Sequence, residues 1–153
     1  MKTFFKTLVF SLIVISGHAQ LKISANTTGA NPTATYKTQS EQAYNYVVLT
    51  RNIQQLKPIF MAAEDLSIEN GKQFGEFYVI VCGRAVKDLA NPETMEIYTK
   101  DAHRIGANLM GCGFSLDRFG IKEEKLPEGI KVVENGIQFN LELQKRGYIS
   151  LSL

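Results

Sequence analysis

The sequence predicts an α/β protein, a three-layer α/β/α arrangement around a mainly parallel five-stranded sheet. Three observations predict it. Short apolar, β-branched runs alternate with longer amphipathic segments in the order β-α-β-α-β-α-β-α-β, the pattern of a parallel sheet with helices on both faces. The run at residues 76–82 is apolar almost throughout, as in a strand covered on both sides. Helix signals stand between the runs: Asn91-Pro92-Glu93 and Asn135 as starts, Gly106 and Gly147 as stops.

The chain has 153 residues, enough for one domain with a sizeable core. Residues 1–19 are expected to lie outside that core. Lys2 and Lys6 give a basic start, residues 8–15 are apolar apart from Ser11, and Gly17-His18-Ala19 offers small residues where a signal peptidase reads. The pattern predicts an export signal cleaved after Ala19, an uncleaved anchor helix being the alternative, and a periplasmic or secreted protein. The apolar run is short for a bilayer span, so no membrane association is expected once the signal is gone. Cleavage removes Lys2 and Lys6 and leaves the basic residues balanced against the 15 acidic ones. That balance argues against nucleic acid or acidic lipid as a partner. Residues 20–43 are rich in Thr, Asn, Ser, Gln and Ala without a period, and read as a flexible leader. Asn26-Thr27-Thr28 fits a glycosylation acceptor, a short pattern common enough to carry no weight.

The domain is expected over residues 44–153. Tyr44-Asn-Tyr-Val-Val-Leu-Thr50 is the first strand, by its β-branched and aromatic content. Ile59, Ala62, Ala63 and Leu66 form one helical face, Pro58 suits that helix's first turn, and Asn70-Gly71 ends it. Residues 52–57 are then a separate turn or a kinked lead-in. Gly83 breaks the second strand, and residues 84–89 suit a short helical turn. A helix from Asn91 buries Met95, Tyr98, Ala102 and Ile105. Residues 108–112 form the third strand, 116–119 a short helix, and 122–126 one more turn before Pro127. Residues 130–134 form the fourth strand. A helix from Asn135 to Arg146 follows, with Ile137, Leu141 and Gln144 along one line, and residues 148–153 close the sheet.

The candidate chemistry is carried by Gly111-Cys112-Gly113-Phe114-Ser115. Cys112 stands at the carboxyl end of a strand, where open parallel sheets place their ligand sites, and just before a helix start with Ser115 as its expected N-cap. The dipole and free N–H groups of such a terminus favour a thiolate. Cys112 is therefore the candidate nucleophile; the alternative is a small buried apolar residue at a strand end. Arg118, one turn on, is a candidate thiolate stabiliser or an ordinary solvated charge. Gly111 and Gly113 would let a partner's backbone approach. Cys82 ends the second strand and is expected at the same sheet edge as Cys112. A mature chain with Cys82, Cys112 and His103 has too few ligands for a four-coordinate zinc site, so no metal is expected, and no cofactor. His103 is expected to be an ordinary surface residue rather than a catalytic base. Gly111-Cys112-Gly113 lacks the spacing of a phosphate loop.

Cys112 with Ser115-Leu116, Arg118 and Gly120-Ile121 resembles a motif of the DsrE/DsrF-like family: cysteine, then a small residue, Leu, a basic residue, Gly and Ile or Val. Leu126-Pro127-Glu128-Gly129-Ile130-Lys131-Val132-Val133 is similar to the family's Leu-Pro-Gly-Val-rich entry to its fourth strand, and Gln144-Lys145-Arg146-Gly147-Tyr148-Ile149 to its Gln-x-x-Gly-aromatic close. The resemblance covers residues 44–153. It implies a small three-layer α/β domain, a homo-oligomer, and sulfur carried as a persulfide on Cys112. The partner would be a sulfur donor or acceptor protein or a small thiol. The chain differs from intracellular relay members in its export signal, and has Cys82 where relatives often have histidine.

Two functions are compatible with these residues. One is a sulfur carrier or persulfide-handling protein using Cys112. The other is a non-catalytic periplasmic oligomeric binding or assembly module with structural cysteines. In the second, Cys82 and Cys112 would close as a disulfide under oxidising conditions, and Phe119 and Tyr148 would belong to an interface or to the core.

Overall fold

The computed structural model describes residues 43–153; the expected signal, the leader up to residue 42 and the Asn26 sequon lie outside them. Five strands form one sheet: β1 (Tyr44–Thr50), β2 (Phe74–Val81), β3 (Ala107–Cys112), β4 (Ile130–Val133) and β5 (Ile149–Ser152). Their spatial order is β4-β3-β2-β1-β5 and every pairing is parallel. The helices are α1 (Leu56–Asn70), α2 (Val86–Leu89), α3 (Pro92–Ile105), α4 (Gly113–Arg118) and α5 (Gly136–Lys145).

The strand order explains the layers. From β1 to β4 the chain steps one strand at a time in one direction, and α1 to α4 share one core with Val48, Val79, Val81 and Leu109. From β4 it reverses across the sheet to β5, and a crossover of constant hand must then use the other face. α5 covers that face, with Leu143 packed among Val47, Leu49, Ile80 and Met110. Alternation along the strands sends Val81 to the first core, and Cys82 and Cys112 to the α5 face.

The local signals act as expected, with three shifts. Asn52 accepts from Gln54 N at 3.1 Å and caps a 3₁₀ turn, Ile53–Gln55, that runs straight into α1, so residues 52–57 are a lead-in continuous with the helix. Asn91 accepts from Thr94 N at 3.1 Å, Pro92 opens α3, and Gly106 closes it at φ 70°. β2 begins at Phe74, earlier than its apolar run, because Phe74 pairs with Tyr44 and stacks on Tyr46 at 6.0 Å. α4 begins at Gly113 rather than Leu116. The line of Ile137 and Leu141 on α5 is exposed, 52% each; the helix instead buries Gly136, Asn140 and Leu143. Its rotation is set at its first turn, where Gly136 lies against the sheet.

Tyr148 is buried against Tyr78, with ring centroids 6.0 Å apart, and its hydroxyl donates to the Glu76 carboxylate. It is therefore a core residue, while Phe119 is half-buried beneath Lys87. Among the described residues no helix is long and apolar enough to cross a membrane.

Leu143 is completely buried and is the principal apolar anchor of α5. Leu143→Ala is expected to lower unfolding free energy by ~2–5 kcal/mol, the usual cost of such a cavity, as read by urea denaturation. Ile137→Ala, on the exposed face of the same helix, should change it by less than about 1 kcal/mol.

Candidate active site

The carboxyl ends of β2 and β3 carry the two cysteines side by side. Val81 pairs with Gly111 in the parallel ladder, so the next residues on each strand, Cys82 and Cys112, are neighbours at one edge. Both are free thiols, 5% and 4% exposed. The connection after β3 goes to α4 on one face and the connection after β4 goes to α5 on the other. The crevice between β3 and β4 is thus the topological switch point of the sheet, where doubly wound folds bind their ligands.

Gly136, the first residue of α5, lies directly over the thiols. Its N–H points at Cys112 Sγ, 3.4 Å away. A Cβ at position 136 would stand 2.6 Å from Cys82 Sγ and 3.2 Å from Cys112 Cβ. Only glycine lets this helix terminus settle so close. Asn135 fixes the approach, its side chain accepting from Ile137 N at 3.1 Å and Gln138 N at 3.2 Å.

Ser115 is not the N-cap expected from sequence. Cys112 itself occupies the cap position of α4, with φ −81° and ψ 115°, and Ser115 is the helix's third residue. The helix starts early because Gly113 can pass within 3.1 Å of Glu134 O, measured from where its Cβ would be, and Phe114 N bonds that same carbonyl at 3.0 Å. Ser115 Oγ accepts from Gly83 N at 2.9 Å and so joins the loop after β2 to the first turn of α4. Its own proton is then free to serve the Cys112 sulfur.

The two thiols are driven apart in acidity. Burial pushes Cys112 up, but hydrogen bonds from the Ser115 hydroxyl, the Gly136 and Ser115 N–H groups and the Cys82 thiol outweigh it and set Cys112 below the ordinary thiol value. Cys82 is pushed up to about 12, first by burial, then by the Cys112 charge and by donating its proton to that sulfur. One cysteine is thus made more acidic by converging donors, and its neighbour is a weak acid that donates to it.

The other sequence candidates fall as follows. Arg118 is exposed and lines the same cleft, but makes no hydrogen bond to the thiol; the donors that lower Cys112 are those of Ser115, Gly136 and Cys82. Gly111 and Gly113 do not await a partner's backbone. A Cβ at 111 would stand 3.3 Å from Leu89 on the opposite face, and Gly113 is closed against Glu134, so both serve internal close packing. His103 is exposed in the last turn of α3 and does not line the cysteine cleft. Among the described residues no group of His, Cys, Asp and Glu is arranged to hold a metal ion.

Two residues of the site were missed from sequence. Gly136 carries no motif, and its role exists only once α5 is docked. Arg51, directly after β1, reaches over Gly83 into the cleft. The rule that ligands gather at strand carboxyl ends would have found it beside Cys82 and Cys112.

Fold and site together define an α/β domain with a buried, donor-surrounded cysteine at the switch point of a parallel sheet. No protein-family model matches the chain, and no curated protein matches it. Solved structures share its fold, two of them as follows. A protein of unknown function from Methanobacterium thermoautotrophicum superposes with a TM-score of 0.60 at 18% identity, covering 72% of this chain and 99% of its own. A conserved protein of unknown function from Bacteroides thetaiotaomicron does so with a TM-score of 0.54 at 21% identity, covering 71% of this chain and 95% of its own.

The depressed Cys112 value has a defined signature. With Cys82→Ser isolating it, the alkylation rate of Cys112 by a small reagent should rise with pH around a midpoint below that of the same cysteine in the urea-unfolded chain. Ser115→Ala, which deletes a donor, should move that midpoint upward. The same depression makes the thiolate stabilise the fold above the unfolded-chain pKa, and that gain is lost as pH falls through the lower folded value. Urea melts across this range, wild type against Cys112→Ser, read the difference.

Proposed function

We propose that this chain is an exported DsrE/DsrF-like protein that carries sulfur as a persulfide on Cys112. The observation that supports the reading best is the convergence of Ser115, Gly136 and Cys82 donors on one buried sulfur. A carrier must both take sulfur and return it, and a depressed thiol pKa serves both steps. In loading, the Cys112 thiolate attacks a sulfane sulfur. The new Cys112–sulfur bond forms as the donor's S–S bond breaks, and the donor's leaving group takes the electron pair. In unloading, an acceptor thiolate attacks the outer sulfur and Cys112 departs as thiolate. A less basic thiolate leaves faster, and the donors that hold its charge before loading receive it again afterwards. Cys82, protonated well above neutral pH, donates to that sulfur and is a weak competitor for the inner sulfur of the persulfide. In this reading the carrier works outside the cytoplasm, with its exported state resting on residues 1–19.

The second reading, a non-catalytic oligomeric module, draws on a different surface. An apolar cleft of about 490 Å³ lies between α1 and β5, lined by Pro58, Ala62, Leu66, Ile149, Leu151 and Leu153, and a second copy of the chain is the occupant it would take. In that case the thiols would pack or cross-link and carry no sulfur.

Reduced protein incubated with inorganic polysulfide, then digested and weighed, should show the Cys112 peptide heavier by one sulfur atom. A small thiol should remove it, and Cys112→Ser should take up none at that position. Loss of loading without loss of the folded state, or a native protein whose only product is a Cys82–Cys112 disulfide, would leave the module reading in its place.

A further inference from the structure

Resting on the carrier reading, we infer that the sulfur donor is a small sulfur oxyanion of the thiosulfate class, bound in the cleft between Arg51 and Arg118. Cys112 is only 4% exposed. A sulfur atom on the surface of a folded donor protein cannot reach it without displacing the chain around it, whereas a small molecule can enter a cleft. The cleft is present: about 300 Å³, lined by both cysteines together with Arg51, Arg118 and Asn135. The two arginines come from separate elements, the end of β1 and the end of α4. Among the described residues neither has a carboxylate partner, in contrast to Arg104, which is paired with Glu64 and Asp101. No carboxylate lines this cleft. Two guanidinium groups without carboxylate partners, lining the cleft that the cysteines also line, suit a substrate that brings negative charge of its own.

The reaction balances with no further reagent. The Cys112 thiolate attacks the outer sulfur of thiosulfate. The Cys112–sulfur bond forms, the S–S bond of thiosulfate breaks, and sulfite leaves with the electron pair. The outer sulfur ends as the terminal atom of the persulfide anion, and total charge is unchanged. The arginines act on the sulfonate end. They offset its repulsion by the thiolate during entry and hold its oxygens as charge moves onto the departing sulfite.

The test uses the full reduced chain with thiosulfate alone, followed by sulfite release and the mass of the Cys112 peptide, beside a parallel series with inorganic polysulfide. One sulfite per persulfide formed is expected. In Arg51→Gln and in Arg118→Gln the ratio of the thiosulfate rate to the polysulfide rate should fall about tenfold or more, within the range of local charge effects on anionic substrates, and the wild-type ratio should fall as salt is raised. Loading by polysulfide but not by thiosulfate would overturn the oxyanion donor and leave the carrier reading intact. Loading by a persulfidated donor protein with no response to thiosulfate would do the same and assign the cleft to a protein segment. Thiosulfate loading with an unchanged ratio in both arginine variants would overturn the arginines' role. Failure of both small donors to load Cys112 would remove the donor class and the carrier reading together.

Discussion

The site depends on one close approach, the seating of the first turn of α5 on the two cysteines. Position 136 has no side chain, so its backbone N–H reaches Cys112 Sγ at 3.4 Å. Much else follows from that contact. It sets the rotation of α5, and so decides that Leu143 and Asn140 face the sheet while Ile137 and Leu141 face outward. It covers the sulfur pair on the α5 side and places an oriented donor against Cys112. A larger residue there would have to lift the helix, uncover the thiols and withdraw the N–H in one movement.

The chemistry is a division of labour between adjacent, chemically identical groups. Two thiols in the same low-polarity corner would ordinarily both be weak acids, since burial disfavours the charged form of each. Here the hydrogen-bond donors are distributed unequally. Ser115, itself engaged by Gly83 N at 2.9 Å, and Gly136 both serve Cys112. Cys82 receives none of these, and its own proton goes to its neighbour. The strand register that places the pair side by side therefore creates an asymmetric site from a symmetric pair.

Much of the fold was legible in the sequence because its signals are local. Apolar, β-branched runs marked the first four strands and a weak alternation marked the fifth, and Asn91, Pro92, Gly106, Asn135 and Gly147 act where they were read. What was not legible depends on contacts between distant segments. The start of α4 moves to Gly113 because of Glu134, a residue brought in by β4. Ser115 was recognised as polar and well placed, but its partner Gly83 lies 32 residues away. Gly111 and Gly113 were read as open because a sequence does not show Leu89 or Glu134 filling the space beside them. Cys112 itself was legible, since its position at a strand end before a helix is a local property.

The strand order also bears on when the thiol becomes reactive. β1 to β4 are laid down in sequence between neighbours, whereas α5 must carry the chain back across the sheet before β5 can pair with β1. Such non-local closure is the slow part of assembling a parallel sheet. The donor that completes Cys112 belongs to that last segment, so a chain that has formed only β1 to β4 has its cysteines in place but lacks the Gly136 donor. Emergence of the lowered Cys112 pKa thus reports that α5 and β5 have docked, and a chain still unfinished at its C-terminal segment holds a less acidic thiol at the same strand end.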